Sequence, residues 1–398
     1  MTIAEFDCVV VGGGPAGATA ATDLARGGHH VLLLDRAGRI KPCGGAIPPR
    51  AIADFAIPDH LLVAKASAAR MVAPSGKTVD MPVGDGFVGL VDREVFDEWL
   101  RARAALAGAE RRSGTFVRIE RDAADVATVV YRDARGADER RVTTRCIVGA
   151  DGARSGVARD EVKGGGTVPC VFAYHEIIAA PATGAGERVD FAPERCDVFY
   201  QGKHSPDFYA WVFPHGATAS IGVGSAQKGF ALREAVAALR TQTGLDGCAT
   251  LRREGAPIPL KPLKRWDNGR DVVVAGDAAG VVAPASGEGI YYAMAGGRHA
   301  AEAVTVFLAT GKASALRLAR KRFLRAHGRV FWILGIMQYF WYSSDTRRER
   351  FVKICEDPDV QRLTWDAYMN KRLVRAKPGA HLRIFWKDMR HLLGLASA

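Results

Sequence analysis

Apolar positions first gather at Phe6 to Val11, broken only by Asp7. A glycine cluster follows, then alanine-rich sequence, then a second apolar run. This order predicts a buried strand at Cys8–Val11, a turn at Gly12–Gly17, a helix over Ala18–Arg26 ended by Gly27-Gly28, and a strand at Val31–Leu34 closing at Asp35. Residues 36–50, with Pro42, Gly44, Gly45, Pro48 and Pro49, read as a loop. Short strands are expected at Met71-Val72, Val79–Met81 and Phe87–Val91, then a helix over Arg93–Ala107 with Phe96, Trp99 and Leu100 on one face. Residues 115–131 and 140–149 predict a hairpin, and residues 167–225 alternate in the manner of antiparallel strands. Beyond them come a helix over Ala231–Leu239, a buried strand over Asp271–Ala275, a long helix over Gly289–Leu308 and a mostly helical stretch from 314 to 398.

The fold class is therefore α/β: a doubly wound domain with an inserted antiparallel β-sheet domain and a C-terminal helical region. The doubly wound part is read as discontinuous, over 1–65, 86–155 and 265–310. The β-rich part covers 66–85 and 156–264, and the helical region 311–398.

Composition narrows the class little. Of 398 residues, 48% are apolar and 25% charged, which argues against wholesale disorder. Seven cysteines without a CxxC pair predict neither a disulfide framework nor a metal site, and fit a reducing cytoplasm. No secretory leader is expected, and no apolar run reaches the length of a spanning helix. Charge changes the picture more. The net +12 lies entirely after residue 310, where 19 Lys and Arg face 7 Asp and Glu. Such a segment suits an acidic partner or serves as a solubilising surface. Within it, Phe331–Tyr342 is nearly all apolar and is flanked by His327, Arg329, Arg347, Arg348 and Arg350. It reads as an interfacial helix, the mouth of a lipid tunnel, or a buried packing helix.

The chemistry begins at Gly12-Gly13-Gly14-Pro15-Ala16-Gly17, a GxGxxG match set between strand and helix and followed by Asp35 at the next strand end. Gly12 permits the turn, Gly14 lets backbone approach a pyrophosphate, and Gly17 brings helix onto strand. Asp35 suits the ribose hydroxyls. The fingerprint alone fits FAD or NAD. FAD is favoured by the strand ending at Gly276-Asp277, where an acid can hold a ribityl chain. The glycines Gly287 and Gly289 before Ile290 can present N–H groups to a flavin ring edge.

Gly12–Gly17, Gly149-Ala150-Asp151-Gly152-Ala153-Arg154-Ser155 and Gly276-Asp277 together resemble the flavoprotein fold of p-hydroxybenzoate hydroxylase. Within that fold, Pro206–Pro214 is similar to the PxxYxWxFP pattern of geranylgeranyl reductases, and Lys41–Gly45 to their Cys-Gly-Gly loop. Cys43–Arg50, Tyr200-Gln201-Gly202, Gly287–Met294 and Trp365–Lys371 resemble the (bacterio)chlorophyll-pathway branch. The resemblance covers essentially the whole chain; Asp35 departs from it, since Glu is commoner there. It implies FAD contacts at Ala16, Asp35, the loop Cys43, Gly44, Gly45 and Ala46, Arg93, Asp277, Gly289 and Ile290. It implies reduction of three double bonds of a geranylgeranyl chain to phytyl, with NADPH as donor. The implied substrate is geranylgeranylated (bacterio)chlorophyll or geranylgeranyl diphosphate. A peripheral place on a photosynthetic or inner membrane would suit such a substrate.

Reducing an isolated alkene needs a hydride, a proton and a dry apolar pocket. Strand alternation puts Tyr209, Trp211 and Phe213 on one face; they line such a pocket together with Tyr200, or form plain sheet core. Cys43 is a candidate proton donor or a small packing residue. Arg93 reaches the flavin or is a surface arginine, and His175 and His215 read as structural. Two rivals stand beside the reductase: an NAD(P)H-dependent flavin monooxygenase of the same fold, and a non-enzymatic isoprenoid or pigment carrier. Nucleic-acid binding is not expected, because no recognition motif accompanies the basic tail.

Overall fold

The computed structural model describes residues 5–36, 40–84, 86–133, 138–181 and 189–371. The helical expectation for 372–398 lies outside them. The described residues fall into two compact units, the first drawn from 1–43, 93–170 and 257–329, the second from 44–92, 171–256 and 330–398.

The first unit is built on a seven-stranded sheet. Phe6–Val11 lies at its centre, parallel to Val31–Asp35 on one side and Glu139–Gly149 on the other. Glu110–Ser113 extends the parallel order beyond Val31–Asp35, and Val272–Val274 pairs with Ile147–Gly149. The first half of Glu139–Gly149 instead pairs antiparallel with Ala127–Arg132, which pairs antiparallel with Thr115–Arg121. The central strands are apolar at successive positions because both faces are covered: Val9, Val10, Leu32 and Val148 are fully buried. The helix Pro15–Arg26 packs against Arg93–Leu106 and Ile290–Thr310. Its approach to Ile290–Thr310 is close enough that a Cβ on Gly297 would lie 2.1 Å from the Ala16 carbonyl oxygen.

The second unit holds another seven-stranded sheet, ordered Thr250–Pro259, Cys170–Ala179, Thr218–Ser225, Ala210–His215, Arg195–Phe199, Ala68–Val72 and Thr78–Pro82. It departs from the expected antiparallel sheet where Arg195–Phe199 runs parallel to Ala68–Val72. The helix Leu232–Thr243 covers one face, over Ile178, Val212, Ile221 and Val223. A three-stranded sheet joins Ala46–Ile47, Val88–Val91 and Leu62–Ala66. That pairing keeps residues 44–65 and 86–92 together in the second unit, where the sequence places them with the first. The C-terminal helices do not form a unit of their own either. Arg317–Trp341 begins in the first and ends in the second, while Asp345–Ile354 and Pro358–Asn370 belong to the second.

Candidate functional site

In the first unit the glycine turn takes its geometry from contacts only glycine allows. Gly12 has φ +104°, and a Cβ there would stand 2.3 Å from the Ala150 carbonyl oxygen. A Cβ on Gly17 would meet the Gly12 carbonyl at 1.8 Å, so helix and turn are in contact. Gly14 differs: a Cβ there meets nothing within 4 Å. It is the N-cap of Pro15–Arg26, whose first turn carries neither a side-chain cap nor an acid. The motif at 149–155 backs this turn. Asp151 accepts hydrogen bonds from the Gly156 and Val157 amides at 2.7 and 3.3 Å and from the Ser155 hydroxyl, fixing the segment whose Ala150 carbonyl abuts Gly12.

Asp35 ends its strand as expected and accepts from Arg101 Nη1 at 3.2 Å. Arg101 also reaches the Gly13 carbonyl at 3.5 Å. Around this pair lies a cavity of about 380 Å³ lined by Asp35, Arg36, Glu98, Arg101, Arg111 and Ser113 among others. Arg101 has no motif of its own in the sequence; only its place on the helix after Arg93 hints at it.

Gly276, at φ +63°, would place a Cβ 2.6 Å from Ala16 and 3.6 Å from Ala293. The starts of Pro15–Arg26 and Ile290–Thr310 therefore meet beside Gly276-Asp277. The second helix also lacks a side-chain cap and an acidic first turn, with Gly289 as its N-cap and Ile290 buried. Gly287, at φ +64°, turns the chain into it. Asp277 pairs with Lys41. Two helix N-termini, each without a side-chain cap and with partial positive charge, converge where the sequence predicts a dinucleotide with an anionic bridge. The residues present fit FAD.

Arg93 is not a surface arginine. Its side chain is 7% exposed, as is that of Asp97, to which it donates from Nε at 2.8 Å and from Nη2 at 2.7 Å. Burial opposes the Arg93 charge, but Asp97 and a hydrogen bond to the Cys43 sulfur outweigh it and raise its pKa. Cys43 is the last residue of the first unit and Gly44 the first of the second.

In the second unit, Gly45 has φ +72° and would drive a Cβ to 2.4 Å from the Val91 carbonyl oxygen, so the position demands glycine. A Cβ on Gly44 would stand 3.0 Å from the Phe213 ring and 3.7 Å from Trp211 Nε1. Ala46 pairs with Leu90. Tyr209, Trp211 and Phe213 do share a face, opposite the helix-covered one that takes Ala210 and Val212. Their rings continue into Tyr200, with centroids 6.3 Å apart for Trp211–Phe213, 6.0 Å for Tyr209–Trp211 and 6.3 Å for Tyr200–Tyr209. Tyr342 and Phe351, at 5.3 and 5.0 Å from Tyr200, extend the row. Burial pushes the Tyr200 and Tyr342 phenols well above their ordinary range, so the row is uncharged. Buried Arg348 ties the C-terminal helices to this region, donating to the Pro206 and Tyr342 carbonyls and to Asp345 at 2.7 Å. Trp365, Tyr368 and Met369 pack with Phe213 and Ala46 around Ala66, Val88 and Leu90, which gives the 365–371 motif a structural place. His215 is half-buried, and desolvation lowers its pKa; its Nδ1 lies 3.2 Å from the Phe213 carbonyl. Phe351, like Arg101, has no motif of its own in the sequence, whereas Tyr342 closes the aromatic run 331–342 for which a tunnel mouth is one of the readings.

The pyridine nucleotide-disulphide oxidoreductase family model matches residues 6–173. The chain is 59% identical to geranylgeranyl diphosphate reductase of Rhodobacter capsulatus over 98% of each sequence. It is 36% identical to the chloroplastic geranylgeranyl diphosphate reductase of Oryza sativa subsp. japonica, over 93% of this chain and 82% of the relative. In fold it is similar to a geranylgeranyl bacteriochlorophyll reductase-like protein from Thermoplasma acidophilum, with TM-score 0.79, 21% identity, and 94% and 99% of the two chains covered.

Proposed function

We infer the working parts of this protein from one premise: the chain belongs to the geranylgeranyl diphosphate reductase family. It is an FAD-dependent oxidoreductase that reduces carbon–carbon double bonds of a geranylgeranyl group. The flavin monooxygenase reading is less well supported. One observation carries the cofactor assignment furthest, the meeting of two uncapped, acid-free helix N-termini beside Asp277.

The residues divide the work as follows. Amides at Gly14, Ala16 and Gly17 receive the pyrophosphate, Asp35 the ribose, and Asp277 the ribityl chain. Gly287, Gly289 and Ile290 would lie at the ring edge, and Gly44, Gly45 and Ala46 continue the loop that Cys43 begins. When bound, FAD supplies the reducing equivalents, and NADPH is the donor that replenishes them. Arg93 fixes Cys43, which holds a proton at Sγ; since a guanidinium only donates, the thiol hydrogen points away from Arg93. Tyr200, Tyr209, Trp211 and Phe213 keep water out and hold the prenyl chain in register. The substrate carries that chain on a (bacterio)chlorophyll or a diphosphate.

Anaerobic incubation of the FAD-loaded protein with NADPH and either substrate is expected to give stepwise mass gains of two hydrogens, ending after three steps. No mass gain on either substrate, even with a strong flavin reductant, overturns the reading and directs attention to oxygen consumption.

A lipid substrate calls for a membrane face, which we place on the helix Arg317–Trp341. Among the described residues no helix is long and apolar enough to cross a membrane. This one instead exposes Lys321, Arg325, Arg329, Trp332, Ile336 and Tyr339 along a single stripe, basic in its first half and apolar in its second. Trp332 is 69% and Tyr339 85% exposed. Such a stripe lies in an interface with its aromatics among the acyl chains. Flotation with anionic vesicles is expected to carry the protein up. The W332S/Y339S variant should float at least about fivefold less, since two buried aromatics contribute more than 1 kcal/mol each. Equal flotation of both proteins refutes the placement.

A further inference from the structure

The two faces of the large sheet in the second unit are built differently. Under the helix Leu232–Thr243 the centre is aliphatic, with Ile178, Val212, Ile221 and Val223. On the opposite face four neighbouring strands place Glu254, His175, Ser220 and Trp211 in a row. Trp211 Nε1 donates to Ser220 Oγ at 3.1 Å. Ser220 Oγ lies 3.1 Å from His175 Nδ1, and His175 Nε2 faces Glu254 Oε2 at 3.1 Å. Ser220 and His175 are 0% and 2% exposed. Room for the row is left by Gly222, where a Cβ would lie 2.3 Å from Trp211 Cζ2 and 2.5 Å from His175 Cβ. At its outer end Arg252 Nε reaches Glu254 at 3.3 Å, and Asp92 lies 3.7 Å from Arg252.

Donor and acceptor accounting gives the row a direction. An indole only donates, so Ser220 Oγ accepts and its hydrogen is available to His175 Nδ1. With that hydrogen turned to Nδ1, His175 carries its own on Nε2, on the side of the Glu254 carboxylate 3.1 Å away, a close approach whose alignment falls short of a hydrogen bond. A sheet that needed only packing has no use for three buried polar groups and a half-buried carboxylate, since buried polar groups cost free energy unless paired. What the row fixes is the orientation of one indole, whose Nε1 edge lies beside the Gly44 position.

We propose that Glu254 and His175 are positioning residues for Trp211, acting through Ser220, and that they set how far along the prenyl chain reduction proceeds. This rests on the reading that Trp211 lines the prenyl site. A loosened indole leaves the chain free to slip between successive reductions, while each single reduction is still possible.

The test uses full-length protein labelled with fluorotryptophan, with the Trp211 resonance assigned by W211F. Glu254→Gln, Ser220→Ala and His175→Leu should each shift or broaden that fluorine resonance in the FAD-free protein and leave the other resonances in place. His175→Asn, whose amide replaces Nδ1, should restore most of it. In the FAD-loaded enzyme, Glu254→Gln and Ser220→Ala should raise KM about five- to tenfold, the worth of one hydrogen bond, and accumulate partly reduced products. The rate of the first reduction should stay within about twofold. An unmoved Trp211 resonance in Glu254→Gln and Ser220→Ala overturns the coupling. A moved resonance with an unchanged KM and product ladder overturns instead the placing of Trp211 at the prenyl site.

Discussion

Gly14→Glu is expected to yield a folded, colourless protein. A Cβ at this position meets nothing within 4 Å, and the glycine caps its helix with φ −74°, a value open to any residue. The new carboxylate therefore enters without a steric cost. It sits at an N-terminus with no competing cap, where a negative charge is favourable by about 0.3–1 kcal/mol. The space it takes is the space assigned to the pyrophosphate, and it adds like-charge repulsion to occlusion. FAD affinity should fall by at least about a hundredfold, since two charge-assisted hydrogen bonds are worth roughly 3 kcal/mol or more. Absorbance near the flavin bands after desalting reads the loss, and the melting temperature of the FAD-free variant should match that of the FAD-free parent. Retention of stoichiometric FAD would falsify the assignment of the phosphate site to this turn.

Gly17→Ala provides the contrast. There the Cβ would approach the Gly12 carbonyl to 1.8 Å, so turn and helix must separate. That variant should lose stability even without cofactor. The two glycines are two residues of one sequence pattern, yet a side chain is sterically open to one and closed to the other.

This difference marks what the sequence makes legible. Elements with a strong local period and clear punctuation appear where the pattern puts them: Phe6–Val11, Val31–Asp35, Arg93–Leu106 and Ile290–Thr310. The face shared by Tyr209, Trp211 and Phe213 follows from strand alternation alone. Partnerships between distant segments are not written locally. Nothing near Ala46 announces that it pairs with Leu90, so the sequence pattern does not show that residues 44–65 and 86–92 build a small sheet within the second unit. Ser220 and Glu254 are ordinary strand residues until their neighbours across the sheet are known. Arg93 shows the same limit at the level of one side chain. An arginine at the start of a helix is ordinarily solvated, and only the tertiary fold and the partner Asp97 bury this one.

Arg93→Met is expected to be the most destabilising single change in the first unit, because it leaves the Asp97 carboxylate buried without its partner. Both side chains are 7% exposed and joined by two hydrogen bonds, a geometry in which losing one partner costs about 3–5 kcal/mol. The double change Arg93→Met with Asp97→Leu removes the orphaned charge and should recover most of that loss, since apolar residues of similar size replace buried pairs at little cost. The urea midpoint of the FAD-free protein reads both effects; a single variant within about 1 kcal/mol of the parent refutes the burial argument. The double variant also separates two roles for Arg93. If the arginine serves only the packing of its helix, restored stability should bring back both FAD affinity and turnover. Arg93 also bonds the Cys43 sulfur, so the expected result is otherwise: stability returns, FAD binds, and turnover stays low because Cys43 is no longer held.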